Sequence, residues 1–207
     1  MTENVLHSTK ISQKSAPNLR FLEGFSVFWH FVEALQHFFS SLLDYYAREW
    51  PVRANPLIVG FFAATDYGMP SGDTTAWCAA FINWVLERSA NDKTVVPMPT
   101  RSAASKSFRN WGQVTSGKTQ ATSGETELRP RKGDIAVFRN TTGNTNHGHV
   151  AFFVEFNASR THLLILGGNQ LPKDKNNTGE INMKWFPVEG KTQVLDSIRT
   201  ADWLHEG

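Results

Sequence analysis

The hydrophobic period of this chain changes once, near residue 112, and this change limits the fold more than any other feature. Before it, apolar residues recur at three- and four-residue steps, the spacing of one helix face. After it, short runs rich in β-formers alternate with turn residues. The runs are 133–138, 149–156 and 162–168, with further strands expected at 185–188 and 194–199. Helices followed by strands predict an α+β domain, with N-terminal helices packed on a central antiparallel β-sheet.

The helical half divides into segments of different character. Residues 1–20 are polar and predict a disordered arm, whereas 21–207 predict one domain that begins with an amphipathic helix over 21–49. That helix has a main apolar stripe for the core. A thinner aromatic stripe (Phe31, Phe38 and Tyr45) packs in the same core or faces a partner or membrane surface. Shorter helices are expected at 57–64, 76–89 and 102–111, and a polar loop at 113–129.

Charge and motif content exclude several classes of protein. The chain has 21 Lys and Arg against 19 Asp and Glu, with no dense basic run, so nucleic acid is not the expected partner. Charged residues and histidines interrupt the apolar stretch after residue 20, which argues against a signal peptide and a transmembrane segment. No metal-binding motif, phosphate-binding loop or GxSxG elbow occurs, so neither a metal nor a cofactor is expected.

The single cysteine, Cys78, is the first candidate for chemistry. It cannot form an intrachain disulfide, and a lone cysteine can simply be a small buried apolar residue. Its position favours a chemical role, because Thr74 or Thr75 as N-cap would place Cys78 in the first turn of the 76–89 helix. The positive end of a helix dipole and its free N–H groups stabilise a thiolate and an oxyanion. The sequence therefore predicts a nucleophile with a lowered pKa.

A thiol nucleophile needs a base, and His149 is the best of seven histidines. It starts a predicted strand after Gly148, and we expect this glycine to allow close approach of the helix that carries the cysteine. His147 is the second choice. The group that orients the imidazole is expected at the end of the next strand, where Asn169 is preferred and Gln170 adjoins it. The same Gly-Gly-Asn run is also compatible with a simple turn.

Two carboxylates are alternatives for the orienting role. Asp134 more readily suits a structural role, tying a loop at the start of its strand, and Glu155 lies on the same predicted strand as His149.

Five sequence blocks together resemble a known superfamily. They read WCAAFINWVLER, RSAASKSFRNWG, RPRKGDIAVFR, GHVAFFVE and LLILGGNQ, and the similarity spans roughly 45–200. In this order they resemble the CHAP and NlpC-type papain-like cell-wall amidases, and within them a small subgroup with WCAAFVNW-like and LGGNQ-like blocks. The resemblance implies a papain-like fold that hydrolyses amide bonds of peptidoglycan. It matches Cys78 to the nucleophile, His149 to the base and Asn169 to the third polar position.

One departure from that pattern is visible. Many CHAP proteins carry an acidic residue two positions before the asparagine, where this chain has Gly167. Further candidates for substrate or oxyanion contacts are Tyr67, Asp73, Trp77, His147 and Gln170.

The expected function is thus a peptidoglycan amidase or endopeptidase with a Cys-His thiolate mechanism. Two other interpretations stay open: a non-catalytic binding module on the same fold, and a thiol protease with a protein substrate. We expect delivery to the periplasm or cell wall without a classical signal peptide, as a phage-type lysin or an antibacterial effector of a system such as type VI secretion. An effector of that kind would have a cognate immunity protein as its partner.

Overall fold

A computed structural model describes residues 48–90, 97–117, 129–144, 147–172 and 178–204. The predicted arm, and the predicted 21–49 helix except for its last two residues, lie outside these ranges, so the predictions for them stay open. Within the described ranges, no helix is both long enough and apolar enough to cross a membrane.

Within the described ranges, two α-helices precede the sheet where the sequence predicted helices: α1, Pro56–Phe61, and α2, Cys78–Ser89. The Asn55 side chain caps α1 by accepting the Leu57 N–H at 2.9 Å. The N-cap of α2 is Trp77, without a side-chain hydrogen bond, so the predicted threonine cap is wrong. Cys78 is nevertheless in the first helical turn, as expected. Short 3₁₀ helices lie at Phe62–Ala64, Ser105–Asn110 and Asp202–Leu204.

The described part of the chain contains a six-stranded sheet in which every neighbouring pair is antiparallel, in the order β1-β6-β2-β3-β4-β5. The antiparallel pairing is as predicted, and the arrangement is compatible with the predicted α+β class. The strands are β1 Gln113–Gly117, β2 Ile135–Asn140, β3 Gly148–Phe156, β4 His162–Gln170, β5 Glu180–Pro187 and β6 Gln193–Thr200.

Strand β1 corrects the predicted loop at 113–129. Apart from Val114, its residues are polar or glycine and carry no apolar alternation, so the sequence contains no strand signal. Pairing with a neighbouring strand stabilises β1 instead. It lies at the sheet edge against β6, and the Thr115 hydroxyl donates to the Ile198 carbonyl at 3.2 Å.

The two faces of the sheet bury different sets of side chains. Val150 and Phe152 of β3 face α2 and join its apolar cluster. The opposite face buries a second cluster, which includes Phe138 of β2 and is packed by Phe186 of β5. The rings of Phe138 and Phe186 are 5.2 Å apart although β3 and β4 lie between their strands. The sheet is therefore curled, and this second cluster fills its concave face.

The position of α2 on the sheet depends on Gly168 in β4. A Cβ at this glycine would lie 2.7 Å from a ring carbon of Trp77 and 3.1 Å from the Cβ of Phe81. The Trp77 ring is fully buried, and its N–H donates to Glu49 Oε1 at 3.1 Å, so the ring is held in place. The absent side chain at residue 168 thus lets the start of α2 lie directly on β4.

We predict that Gly168→Ala lowers the free energy of unfolding by about 1–3 kcal/mol, because the added methyl group overpacks a rigid contact. Equilibrium urea unfolding measures the loss. The control is Gly60→Ala in α1, where a Cβ would meet nothing within 4 Å. That change should stabilise by about 0.5–1 kcal/mol, as alanine does in a helix. Equal unfolding free energies for the two variants would contradict this account of the α2–β4 contact.

Candidate active site

Cys78 is the first residue of α2, and its side chain is 5% exposed. Backbone N–H groups of Cys78, Ala79 and Val150 hydrogen-bond its sulfur. The first two belong to the helix start, where N–H groups have no intrahelical acceptor. The third belongs to β3. The sulfur therefore lies between the N-terminal end of α2 and β3, where it contacts the backbone of Val150, the residue after His149.

Burial raises the pKa of the Cys78 thiol, and the three backbone hydrogen bonds lower it without offsetting the burial. The predicted lowering of this pKa by the helix start is therefore wrong for this structure. The helix N–H groups are present, but desolvation of a charged sulfur in an apolar cluster is the larger effect. At neutral pH the sulfur keeps its proton.

His149 is the second residue of β3, and it too is buried. Its ring stacks on Phe186, with centroids 5.6 Å apart and planes 17° apart, so it projects into the concave face of the sheet. Burial lowers the pKa of His149 to about 4, and the positive charge of Lys184 adds a smaller lowering. The imidazole is thus neutral at pH 7, which a general base requires.

Gly148 allows a close backbone approach, as expected, but of a different element. A Cβ there would collide with the carbonyl group of Phe138 in β2, the strand that pairs with this end of β3. The expected contact with the cysteine-bearing helix is wrong. That helix approaches the sheet through Gly168 instead.

The Nε2 atom of His149 points toward Gly167. It would lie 3.2 Å from a Cβ on that glycine, and it has no hydrogen-bond partner among the described residues. The position where CHAP proteins often carry an acidic residue is therefore next to the imidazole, and in this chain it is a glycine without a side chain.

A bulge in β4 decides which residue follows Gly167 on that side. Gly167 pairs with Asn182 and Gln170 with Glu180, so three steps on β4 oppose two on β5. Asn169 lies in this bulge and has a φ of 57°, in the left-handed region. Because the bulge shifts the alternation of side chains by one residue, Gln170 returns to the side of Gly167. Its amide nitrogen would lie 3.0 Å from a Cβ there.

The structure brings Asn169 to a different place. Its Oδ1 would lie 2.5 Å from a Cβ on Gly179, a position that also adjoins the Glu49 carboxylate at 2.8 Å. Glu49 is buried and accepts the Trp77 indole N–H, a contact that no sequence pattern indicates. Asn169 makes no hydrogen bond to His149 Nε2.

Two of the further candidates are exposed. Tyr67 is 59% exposed and leans on Phe62, with ring centroids 5.4 Å apart. His147 lies in the turn before β3 and is exposed, and its carbonyl accepts the Asn140 N–H at 3.1 Å. Both side chains are accessible to a large substrate.

Two more of these candidates, Asp73 and Trp77, are buried in structural contacts. Asp73 Oδ2 accepts the backbone N–H groups of Trp50 at 2.9 Å and Asn55 at 2.8 Å, so this carboxylate holds the segment before α1. Trp77 has no exposed surface and offers none to a substrate.

The carboxylate alternatives for orienting His149 lie elsewhere. Asp134 is fully buried, and its Oδ2 accepts the Arg131 N–H at 2.8 Å, which confirms the expected structural role. Glu155 is exposed toward the far end of β3. Across the described ranges, no three His, Cys, Asp or Glu side chains converge as a group that could hold a metal ion.

Comparison with known proteins gives one match. The family model of the CHAP domain matches residues 70–169, a segment that includes Cys78, His149 and Asn169. CHAP domains are generally cysteine- and histidine-dependent amidohydrolases with a papain-like fold, and the antiparallel sheet behind α2 is compatible with that fold. No curated protein and no solved structure matches the chain.

We predict that buried His149 makes the protein less stable in acid. The unfolded chain binds a proton near pH 6.5, but the folded protein binds it only near pH 4. The free energy of unfolding should therefore be unaffected by this group above pH 6.5 and fall between these values, by about 3 kcal/mol in total. Urea unfolding at several pH values between 7 and 4 measures the fall.

Carboxylates also titrate in this range, so the comparison with His149→Gln is decisive. This variant should lose the His149 contribution and show a shallower fall in stability. The exposed His147 supplies a matched control, because His147→Gln should keep the slope of the unmodified protein. Identical slopes for all three proteins would contradict a neutral, buried His149.

Proposed function

Residues 70–169 are a CHAP domain, and from this premise we propose that the protein is a cysteine-dependent peptidoglycan hydrolase. It would cleave amide bonds of the cell-wall peptide, as an amidase or endopeptidase. One observation carries the assignment of roles: the Cys78 sulfur accepts the backbone N–H of Val150, the residue directly after His149. The thiol therefore adjoins the β3 backbone next to His149, whose ring projects into the concave face.

Cys78 acts as the nucleophile and His149 as the base. Nε2 faces Gly167, so we propose that Nδ1 takes the thiol proton, a step that requires the imidazole ring to turn from the concave face toward the thiol when substrate binds. As this proton moves to Nδ1, the sulfur bonds to the amide carbon and the carbonyl electron pair moves to oxygen. Collapse of this intermediate breaks the C–N bond, and His149 gives its proton to the leaving amine. Water then attacks the thioester with His149 again as base, which releases the acid and the thiol.

The buried electrostatics favour attack from a neutral pair over a preformed thiolate–imidazolium pair. A preformed pair needs a charged sulfur and a charged imidazole. Burial disfavours both charges, because it raises the pKa of the Cys78 thiol and lowers the pKa of His149. Transfer of the proton together with C–S bond formation avoids two separated charges in this site.

The start of α2 supplies the groups that stabilise the oxyanion. The N–H groups of Cys78 and Ala79 hydrogen-bond the sulfur in the free protein. When the sulfur bonds to carbon, it becomes a weaker hydrogen-bond acceptor. We propose that these N–H groups then donate to the oxyanion. Preorganised donors of this kind are worth about 10²–10³ in kcat each.

We predict that purified protein releases soluble fragments or new free amines from cell-wall sacculi, and that Cys78→Ala abolishes this release. The rate should fall by at least about 10³, because the covalent route is lost. Mass spectrometry of the digested sacculi measures the activity and identifies the bond that is cut. The control Thr74→Ala changes the loop before α2 and leaves both the thiol and the base in place.

The same experiment separates the competing functions. Retention of the protein on sacculi without released products, unchanged in Cys78→Ala, would indicate a binding module. Cleavage of a protein substrate but not of sacculi would indicate a thiol protease. Equal digestion by Cys78→Ala and the unmodified protein would remove Cys78 from the mechanism.

We also propose that the enzyme works on the wall from the periplasmic side, as a delivered effector or a phage-type lysin. Only there does a Gram-negative cell expose peptidoglycan to it. An effector would require an immunity protein in the producing cell, and this partner would be expected to cover the site at the start of α2.

We predict that expression of the chain in a Gram-negative host lyses the cells only when an added signal peptide directs it to the periplasm. Optical density and microscopy after induction measure lysis. Periplasmic Cys78→Ala should be harmless at the same protein level. Equal toxicity of the cytoplasmic and periplasmic forms would contradict a wall substrate.

A further inference from the structure

Lys184 of β5 is a half-buried lysine whose ammonium group forms no ion pair with a described residue. It donates a long hydrogen bond to the carbonyl of Leu171, at 3.4 Å. Glu180, four residues earlier on the same strand, pairs with Arg48 at 3.4 Å instead. Partial burial reduces the screening of a charge by water. This ammonium group is therefore available to an anion from outside the chain.

Lys184 lies on the same side of the sheet as the proposed base, His149. Its ammonium nitrogen is 5.9 Å from the ring centroid of Phe186, and that ring stacks on the imidazole. The positive charge of Lys184 lowers the pKa of His149, so the two groups are close enough to interact. The neighbours of the imidazole on β2 and β4 include Phe138 and Gly167, which carry no charge.

The ammonium group also reaches the end of the sheet where the proposed chemistry takes place. β3 begins and β4 ends at this end, because the two strands are antiparallel. His149 is at the start of β3, and the Cys78 sulfur contacts the residue after it. Leu171, which accepts the Lys184 hydrogen bond, directly follows β4 and is 55% exposed. A substrate at this end of the sheet can therefore approach Lys184.

We propose that Lys184 binds a carboxylate of the wall peptide and makes the enzyme selective for peptides in which this carboxylate is free. Stem peptides of peptidoglycan contain diacid residues that use one carboxyl group in the main chain and leave the other free or amidated. A carboxylate forms a charge-assisted hydrogen bond with an ammonium group, whereas a carboxamide has no charge to offer. Lys184 would therefore distinguish the two forms.

The same contact would assist catalysis. A carboxylate bound to Lys184 offsets the positive charge that disfavours a protonated His149. Transfer of the thiol proton to the imidazole would then be easier with the substrate in place. The inference rests on the proposed function, because it names the group that this hydrolase recognises beside its base.

The first test compares the cleavage of two substrates that differ in charge. One is the muropeptide mixture from Gram-negative sacculi. The other is the same mixture after carbodiimide coupling with ammonia, which converts carboxylates to carboxamides. We expect kcat/KM of the unmodified protein to fall about tenfold on amidation, mainly through KM, the size of one hydrogen bond to a charged group. Lys184→Met should cleave both mixtures equally, and Lys184→Arg should keep the preference.

Lys106→Met is the matched control, because it removes the same charge from an exposed position in the 3₁₀ helix Ser105–Asn110. It should keep the preference for the free carboxylate. An equal loss on both mixtures in Lys184→Met would show that Lys184 is only structural, and an unchanged preference would assign the carboxylate to another residue. Whether or not the Lys184 variants fold, equal cleavage of both mixtures by the unmodified protein would overturn the proposal.

The second test measures binding without turnover. Calorimetric titration of Cys78→Ala with a purified disaccharide tetrapeptide should show about tenfold tighter binding of the intact form than of the amidated form. Adding Lys184→Met should remove this difference. Equal binding, or no binding, of the two forms would overturn the inference, whereas cleavage of sacculi would still support the hydrolase. Carboxylate-dependent binding without any cleavage by the unmodified protein would contradict the hydrolase and leave the carboxylate site in place.

Discussion

The close packing of the start of α2 against β3 and β4 is the contact on which the rest of the site depends. Gly168 has no side chain, and this allows the fixed ring of Trp77 to lie on β4. The next residue of the helix is then Cys78, and its sulfur reaches the backbone of β3. The position of the nucleophile is therefore a consequence of core packing. A change that moves α2 outward by a fraction of an ångström would also move the sulfur away from the backbone of β3.

Burial on the two faces of the sheet determines the charge state of the site. Packing of α2 removes water from the thiol, and packing on the concave face with Phe186 removes it from the imidazole, so both groups are more stable in their neutral forms. A helix start alone would favour a thiolate, but its N–H groups act here in an apolar cluster, where a charge is strongly disfavoured. In the proposed mechanism, the substrate completes the site, because its carbonyl oxygen receives the charge that the free protein does not hold.

Local patterns predicted the elements well and their ends less well. Apolar spacing located α1, α2 and the strands β2 to β6, because each buries a face and so must carry a periodic pattern. It missed β1, which has a single apolar residue, Val114, and is a strand through its pairing with β6. The cap of α2 was misplaced because Trp77 begins the helix through packing and makes no side-chain hydrogen bond.

By itself, the sequence determined the class of fold, the CHAP resemblance and the two residues that carry the proposed chemistry, since these depend on residue type and order. Tertiary structure alone decided the protonation of Cys78 and His149, because desolvation depends on what surrounds a group. It also decided which amide lies beside His149. Its place at the strand end and the CHAP resemblance favoured Asn169, but one extra residue in β4 shifts the alternation of side chains and brings Gln170 to that side instead. A bulge is a property of two paired strands, and the pattern of either strand alone does not contain it.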